Sequence, residues 1–114
     1  MSERFAGQVI LVAGGTGGLG RAVSEAFLGE GATVIVTYRT QAEFDALAQA
    51  AAAASVRLEG HGVDVTDEAA TLQLVLEVVA RHARLDALVN TVGGYAGGTQ
   101  GWNLQRAKIG RAHV

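Results

Sequence analysis

VILVAGGTGGLGRAVSEAF, Val9 to Phe27, places five glycines between an aliphatic run and an amphipathic one. The run before the glycines, Gln8–Ala13, is β-branched and aliphatic, the composition of a short strand buried on both faces. After them, Leu19, Ala22, Val23, Ala26 and Phe27 follow the i, i+3, i+4, i+7, i+8 spacing of one helix face, and Gly29 and Gly31 end it. A glycine turn between a strand and a helix start leaves backbone N–H groups and the positive helix end facing outward, which favours an anion. Gly14 can make the tight turn, Gly18 can let a ligand approach the backbone, and Gly20 can let the helix close on the strand. Gly15, Gly17 and Gly20 fit the general G-x-G-x-x-G spacing as well, so the register stays open. A Walker-type phosphate loop is excluded, because Arg21-Ala22 stands where Lys-Ser/Thr is required. A dinucleotide is the better ligand, and a plain flexible turn is the alternative that glycine spacing alone leaves open.

Outward from this stretch the chain alternates strand and helix patterns. Ala32–Tyr38 reads as a second buried strand. Thr40 and Glu43 have capping-box spacing and open an alanine-rich helix to about Ala54. Ser55–Val65 reads as a third strand ending near His61 to Val63. Thr66 is the expected N-cap of a helix reaching about His82, with Asp67 and Glu68 in its first turn and Leu72, Val75, Leu76 and Val79 facing inward. Leu85–Asn90 is strand four, and a glycine-rich loop follows. The order β-α-β-α-β-α-β implies right-handed crossovers and a parallel sheet: an α/β, Rossmann-type fold with helices on both faces and strand order 3-2-1-4. Residues 1–98 form this unit, the N-terminal half of a nucleotide-binding domain, and 99–114 read as an irregular tail.

Composition narrows the function classes. The 114 residues are 49% hydrophobic and 18% charged, which suits a packed core rather than disorder. A net charge of −2 offers no basic surface to nucleic acid or an anionic membrane. There is no cysteine, hence no disulfide, thiolate metal site or cysteine nucleophile. His61, His82 and His113 lack metal-ligand spacing, so no metal site is expected. No secretory signal pattern opens the chain and no run approaches the ~18 apolar residues of a membrane span. A soluble cytoplasmic protein is the expectation.

Three motifs resemble the short-chain dehydrogenase/reductase family. AGGTGGLG, Ala13–Gly20, is similar to T-G-x-x-x-G-x-G, with Ala13 in place of the threonine. VDVTD, Val63–Asp67, is similar to the segment after strand three whose Asp contacts the adenine ring, which maps to Asp64 with Val65 beside it. LDALVNTVGG, Leu85–Gly94, resembles the N-N-A-G signature; Asn90 and Gly93 match, while Thr91 and Val92 depart. The resemblance implies a cofactor site made of Gly14, Thr16, Gly17, Gly18, Leu19, Gly20, Arg39, Asp64, Val65, Asn90 and Gly93. It also implies hydride transfer between a dinucleotide and a carbonyl or alcohol substrate, and a homo-oligomeric full-length form. Cofactor choice follows from charge. Thr37, Tyr38 and Arg39 include no carboxylate to accept from a ribose 2′-OH, and a guanidinium pairs with a 2′-phosphate, so NADP(H) is preferred and NAD(H) allowed.

The family's chemistry uses a serine and a Tyr-x-x-x-Lys pair beyond strand four. Here Tyr38 is followed four residues on by Ala42 and Tyr95 by Thr99, and the serines are Ser2, Ser24 and Ser55. No catalytic residue is therefore expected in the chain, which reads as an inactive, cofactor-binding portion with strand four as an uncovered, association-prone sheet edge. The alternatives are a non-catalytic NAD(P)-sensing module acting through a partner, and a half-domain completed by a second chain. Tyr95 and Trp102 are expected to cover the sheet edge. Ile109–Val114, IGRAHV, matches the translation of a string resembling a sequencing-library adapter, so an artefactual end is expected there.

Overall fold

The computed structural model describes residues 4–92. Four strands, β1 (Val9–Ala13), β2 (Thr33–Thr37), β3 (Leu58–His61) and β4 (Ala87–Asn90), form one sheet in the order β3-β2-β1-β4. Every pairing is parallel; Leu11 stands opposite Ile35 on one side and Leu88 on the other. Three helices connect the strands: α1 (Gly18–Gly29), α2 (Gln41–Ala51) and α3 (Glu68–His82). Strand periodicity divides the core into two layers, because successive side chains point to opposite faces. Ile10, Val12, Val34 and Val36 pack with Leu28 of α1 and Leu47 of α2. Val9, Leu11 and Ile35 pack on the other face with Leu74, Val75 and Val78 of α3. The expected strand order and two-faced architecture are thus both present.

Several local readings need correction. The inward face of α1 is shifted one residue from the expected stripe: Gly20, Ser24 and Leu28 are buried, and Leu19 is exposed. Small residues let the helix close on the turn after β1, a signal that an apolar count passes over. In α3, Leu72 and Leu76 are 59% and 60% exposed, while Leu74, Val75 and Val78 meet the sheet. That helix is apolar over a wide arc, so spacing alone does not choose its inward side. Asp67 rather than Thr66 is the N-cap, accepting from the Ala70 N–H at 3.1 Å. Thr40 does precede α2, yet it makes no side-chain cap bond, and the Glu43 carboxylate accepts from Thr16 instead. Finally, α2 stops at Ala51, where Ala52 takes φ +53°, and a 3-10 turn over Ala52–Arg57 leads into a shorter β3.

Two carboxylates tie the frame together. Asp86 accepts from the Val9 N–H at 2.8 Å and from Arg84 through both oxygens, holding the entries of β1 and β4 side by side. Glu59, on edge strand β3, receives Nε2 of His61 at 2.7 Å and Nε2 of His82 at 3.1 Å, together with the Arg81 guanidinium. An ionised carboxylate can only accept, so both Nε2 atoms carry hydrogen. His61 and His82, which lack metal-ligand spacing in the sequence, thus meet on one carboxylate, a structural role that ties the end of α3 to β3. Among the described residues no group of three or more potential ligands is placed to hold a metal ion, and no helix is long and apolar enough to cross a membrane.

Burial pushes the Glu59 carboxyl upward, but the hydrogen bonds from His61 and His82 and the charge of Arg81 outweigh it and hold it below its ordinary 4.5. A carboxyl lowered in the folded state contributes stability above its unfolded pKa and loses it as pH falls through the folded value. Denaturant titrations should therefore show stability declining below about pH 4.5 more steeply in the wild type than in Glu59→Gln. Parallel pH profiles for the two proteins would contradict this assignment.

Candidate functional site

At the end of β1 the chain turns on Gly14, at φ +76°, where an L side chain would be strained. The turn is held from both sides. From β2, the Thr37 hydroxyl accepts from the Gly14 N–H at 2.8 Å, and the Thr37 carbonyl accepts from the Gly15 N–H at 3.2 Å. From the end of β4, the Thr91 hydroxyl lies 2.7 Å from the Ala13 carbonyl oxygen and 3.1 Å from that of Gly14. Helix α1 then presses onto the turn: a Cβ on Gly20 would stand 1.8 Å from the Gly14 carbonyl oxygen. The buried Ser24 hydroxyl donates to the Gly15 carbonyl at 3.0 Å, fixing the same contact one turn later.

Gly17 and Gly18 differ from these. Among the described residues a Cβ at either position meets no atom within 4 Å, and neither glycine has positive φ. Gly17 is the N-cap of α1, and no side chain caps that end. The first N–H groups of α1 have no intrahelical partners, so they present donors and a partial positive charge. Among the described residues nothing steric requires either position to lack a side chain.

Gly17 opens onto a groove of about 830 Å3 bounded by the glycine turn, the end of β2, the segment after β3 and the end of β4. That volume lies within the range of small-molecule sites, about 300–1,000 Å3. Gly14, Thr16, Gly17, Arg39, Asp64 and Val65 all line the groove. Gly18, Leu19 and Gly20 form the helix start beside it. Asn90 lies opposite Ala13 in the sheet, its Oδ1 accepting from the Val92 N–H at 2.9 Å; Thr91 and Val92 reach the groove instead. Gly93, Tyr95, Trp102, His113 and the 99–114 tail lie outside the described residues.

The far end of the groove is shaped by Asp64 and Tyr38. Asp64 is exposed, and its Oδ1 accepts both the Thr66 hydroxyl at 2.6 Å and the Thr66 N–H at 2.9 Å. The hydroxyl, then the amide, and also the nearby positive charge of Arg39 hold the Asp64 carboxyl below its ordinary range, against a small opposing effect of desolvation. Oδ2 keeps its acceptor capacity. Tyr38 stacks on Phe44 at 5.3 Å and donates its hydroxyl to Gln41 Oε1 at 3.0 Å. A Cβ on Gly60 would lie 2.4 Å from the Phe44 ring, and one on Gly62 would lie 3.3 Å from the Tyr38 ring. These two glycines make room for the aromatic pair. Sequence reading did not place Thr37, Glu43 or Thr66 in the site, because polar residues at strand ends and helix starts are common.

The short chain dehydrogenase family model matches residues 8–111. An uncharacterized oxidoreductase of Mycobacterium tuberculosis is 37% identical over 91 residues, covering 80% of this chain and 35% of that protein. A 3-oxoacyl-acyl-carrier-protein reductase of Thermotoga maritima is 33% identical over 90 residues, covering 79% of this chain and 37% of that protein. Among solved structures, a putative short-chain dehydrogenase/reductase from Burkholderia xenovorans superposes with a TM-score of 0.75 at 40% identity, covering 85% of this chain and 40% of that one. The chain thus spans little more than a third of these two curated relatives.

The two kinds of glycine should separate on substitution. Gly20→Ala forces backbone against backbone and is expected to cost about 3 kcal/mol or more. Gly18→Ala adds a methyl in open space at a helix start and should leave stability unchanged or raise it by up to about 1 kcal/mol. Thermal and urea denaturation of the two variants read the difference directly, and equal destabilisation would refute it.

Proposed function

Because the chain belongs to the short chain dehydrogenase family, whose members are oxidoreductases using nicotinamide dinucleotides, we propose that its groove holds the adenosine and pyrophosphate portions of such a cofactor. The observation that carries this reading is the pair Gly17 and Gly18, where an added Cβ would meet no described atom, at a helix N-terminus that has no side-chain cap and opens on the groove. A bound nicotinamide dinucleotide supplies a hydride donor or acceptor for a carbonyl or alcohol carbon. The chain's own residues bind and orient. The first N–H groups of α1 face the pyrophosphate, Gly18 lets it approach, and the Gly14 turn is held rigid by Thr37 and Thr91. Asp64 offers Oδ2 to an exocyclic amine of the base, with Val65 beside it. Proton transfer belongs to a Tyr-x-x-x-Lys pair that these 114 residues do not contain, so the chain's share of the reaction is cofactor binding.

Arg39 supports NADP(H) over NAD(H). It is exposed at the end of β2, lines the groove and is close enough to Asp64 to lower that carboxyl. A guanidinium at this place can form charge-assisted bonds with a 2′-phosphate. Calorimetric titration should give tighter binding of NADPH than of NADH. Arg39→Ala should weaken NADPH binding by about tenfold and NADH binding by less than about twofold, the loss of one charge-assisted pair. Equal wild-type affinities would end the preference. Absence of binding by either nucleotide would end the assignment of the groove.

A further inference from the structure

Glu43 is exposed in the first turn of α2 and lines the groove together with Arg39. Its Oε1 accepts from the hydroxyl of Thr16, 3.2 Å away, and Thr16 is only 7% exposed in the glycine turn. The clasp draws a carboxylate of α2 toward the loop on the opposite wall. It satisfies one oxygen with a neutral hydroxyl and leaves the charge in place. Among the described residues the charged ones lining the groove are Arg39, Glu43 and Asp64, one cation and two carboxylates. Asp64 commits Oδ1 to Thr66, whereas the partner of Glu43 is the loop itself.

We propose that Glu43 is a specificity-determining residue whose carboxylate, clasped by Thr16 in the groove that Arg39 also lines, opposes a phosphate on the adenosine ribose and so limits discrimination between the two dinucleotides. The inference rests on the groove being a dinucleotide site. A phosphate monoester brings about −1.5 to −2 charges. Repulsion from a carboxylate in the same groove partly offsets the attraction of Arg39. A ribose hydroxyl suffers no such repulsion and can donate to the same carboxylate. The sequence-level argument from Arg39 alone passes over this opposing charge.

The test measures binding of NADH and NADPH to the 114-residue chain by titration calorimetry, with the ratio Kd(NADH)/Kd(NADPH) as readout. Glu43→Gln keeps an acceptor for Thr16 and removes the charge; the ratio should rise about fivefold at low ionic strength. At about 1 M salt, where the screening length is about 3 Å, the gain should shrink below about twofold. Glu43→Lys should raise the low-salt ratio further, and circular dichroism of both variants confirms the fold. An unchanged or falling ratio in both variants, or a gain that salt does not reduce, overturns the proposal. Should Arg39→Ala leave the ratio unaltered while Glu43→Gln raises it, the Arg39 assignment fails and the Glu43 assignment stands. If neither nucleotide binds the wild type, both fall together with the groove.

Discussion

The closeness of α1 to the turn after β1 governs the molecule. A methyl group on Gly20 would stand 1.8 Å from a carbonyl oxygen of Gly14, a distance that no backbone adjustment of a few tenths of an ångström relieves. Because the helix sits this low, its uncapped end meets the sheet at the C-terminal edge of β1, and Ser24 can reach the Gly15 carbonyl. The order β3-β2-β1-β4 does the rest. With β1 between β2 and β4, a single turn can be gripped by a threonine from each neighbour, Thr37 and Thr91. Ligand sites in open α/β sheets form at such carboxyl ends.

Three carboxylates show how context separates residues of like chemistry. Asp86 is consumed by the Val9 amide and the Arg84 fork and belongs to the frame. Glu59 is half-buried and surrounded by two imidazoles and a guanidinium, so it too belongs to the frame. Asp64 is held by its own turn at one oxygen, which orients the other without neutralising it. An inventory by residue type alone treats these three as equivalent.

Architecture was legible in the sequence because periodicity reports it directly. Aliphatic runs of strand length and helical stripes between them specify a parallel sheet covered on both faces, and the strand order followed from the connection pattern. The glycine turn was legible too, and the groove brings together Asp64, singled out by the motif after strand three, and Arg39, singled out by its charge at the end of strand two. What stayed hidden was phase. The buried side of α1 runs through Gly20, whose close approach to the strand the glycine pattern indicated, and through Ser24, which no apolar count selects, while α3 is apolar over too wide an arc for spacing to choose its inward side. Capping was misplaced for a related reason. Thr40 and Glu43 have the right spacing, but Thr16 lies close enough to draw the Glu43 carboxylate away, and only the tertiary fold reveals that competition. Meetings across the chain, such as that of Glu59 with His82, leave no mark in local sequence.

The hydroxyl of Thr91 bridges to carbonyls 77 and 78 positions earlier in the chain. Contacts of such sequence separation form late, because the intervening loop must close before they are rewarded. The cradle specified near the start of the polypeptide is therefore completed near the end of the described portion, when β4 docks against β1. During synthesis the glycine loop leaves the ribosome long before its last support exists. A nascent chain holding only β1 to β3 therefore carries the glycine turn without the grip that Thr91 supplies.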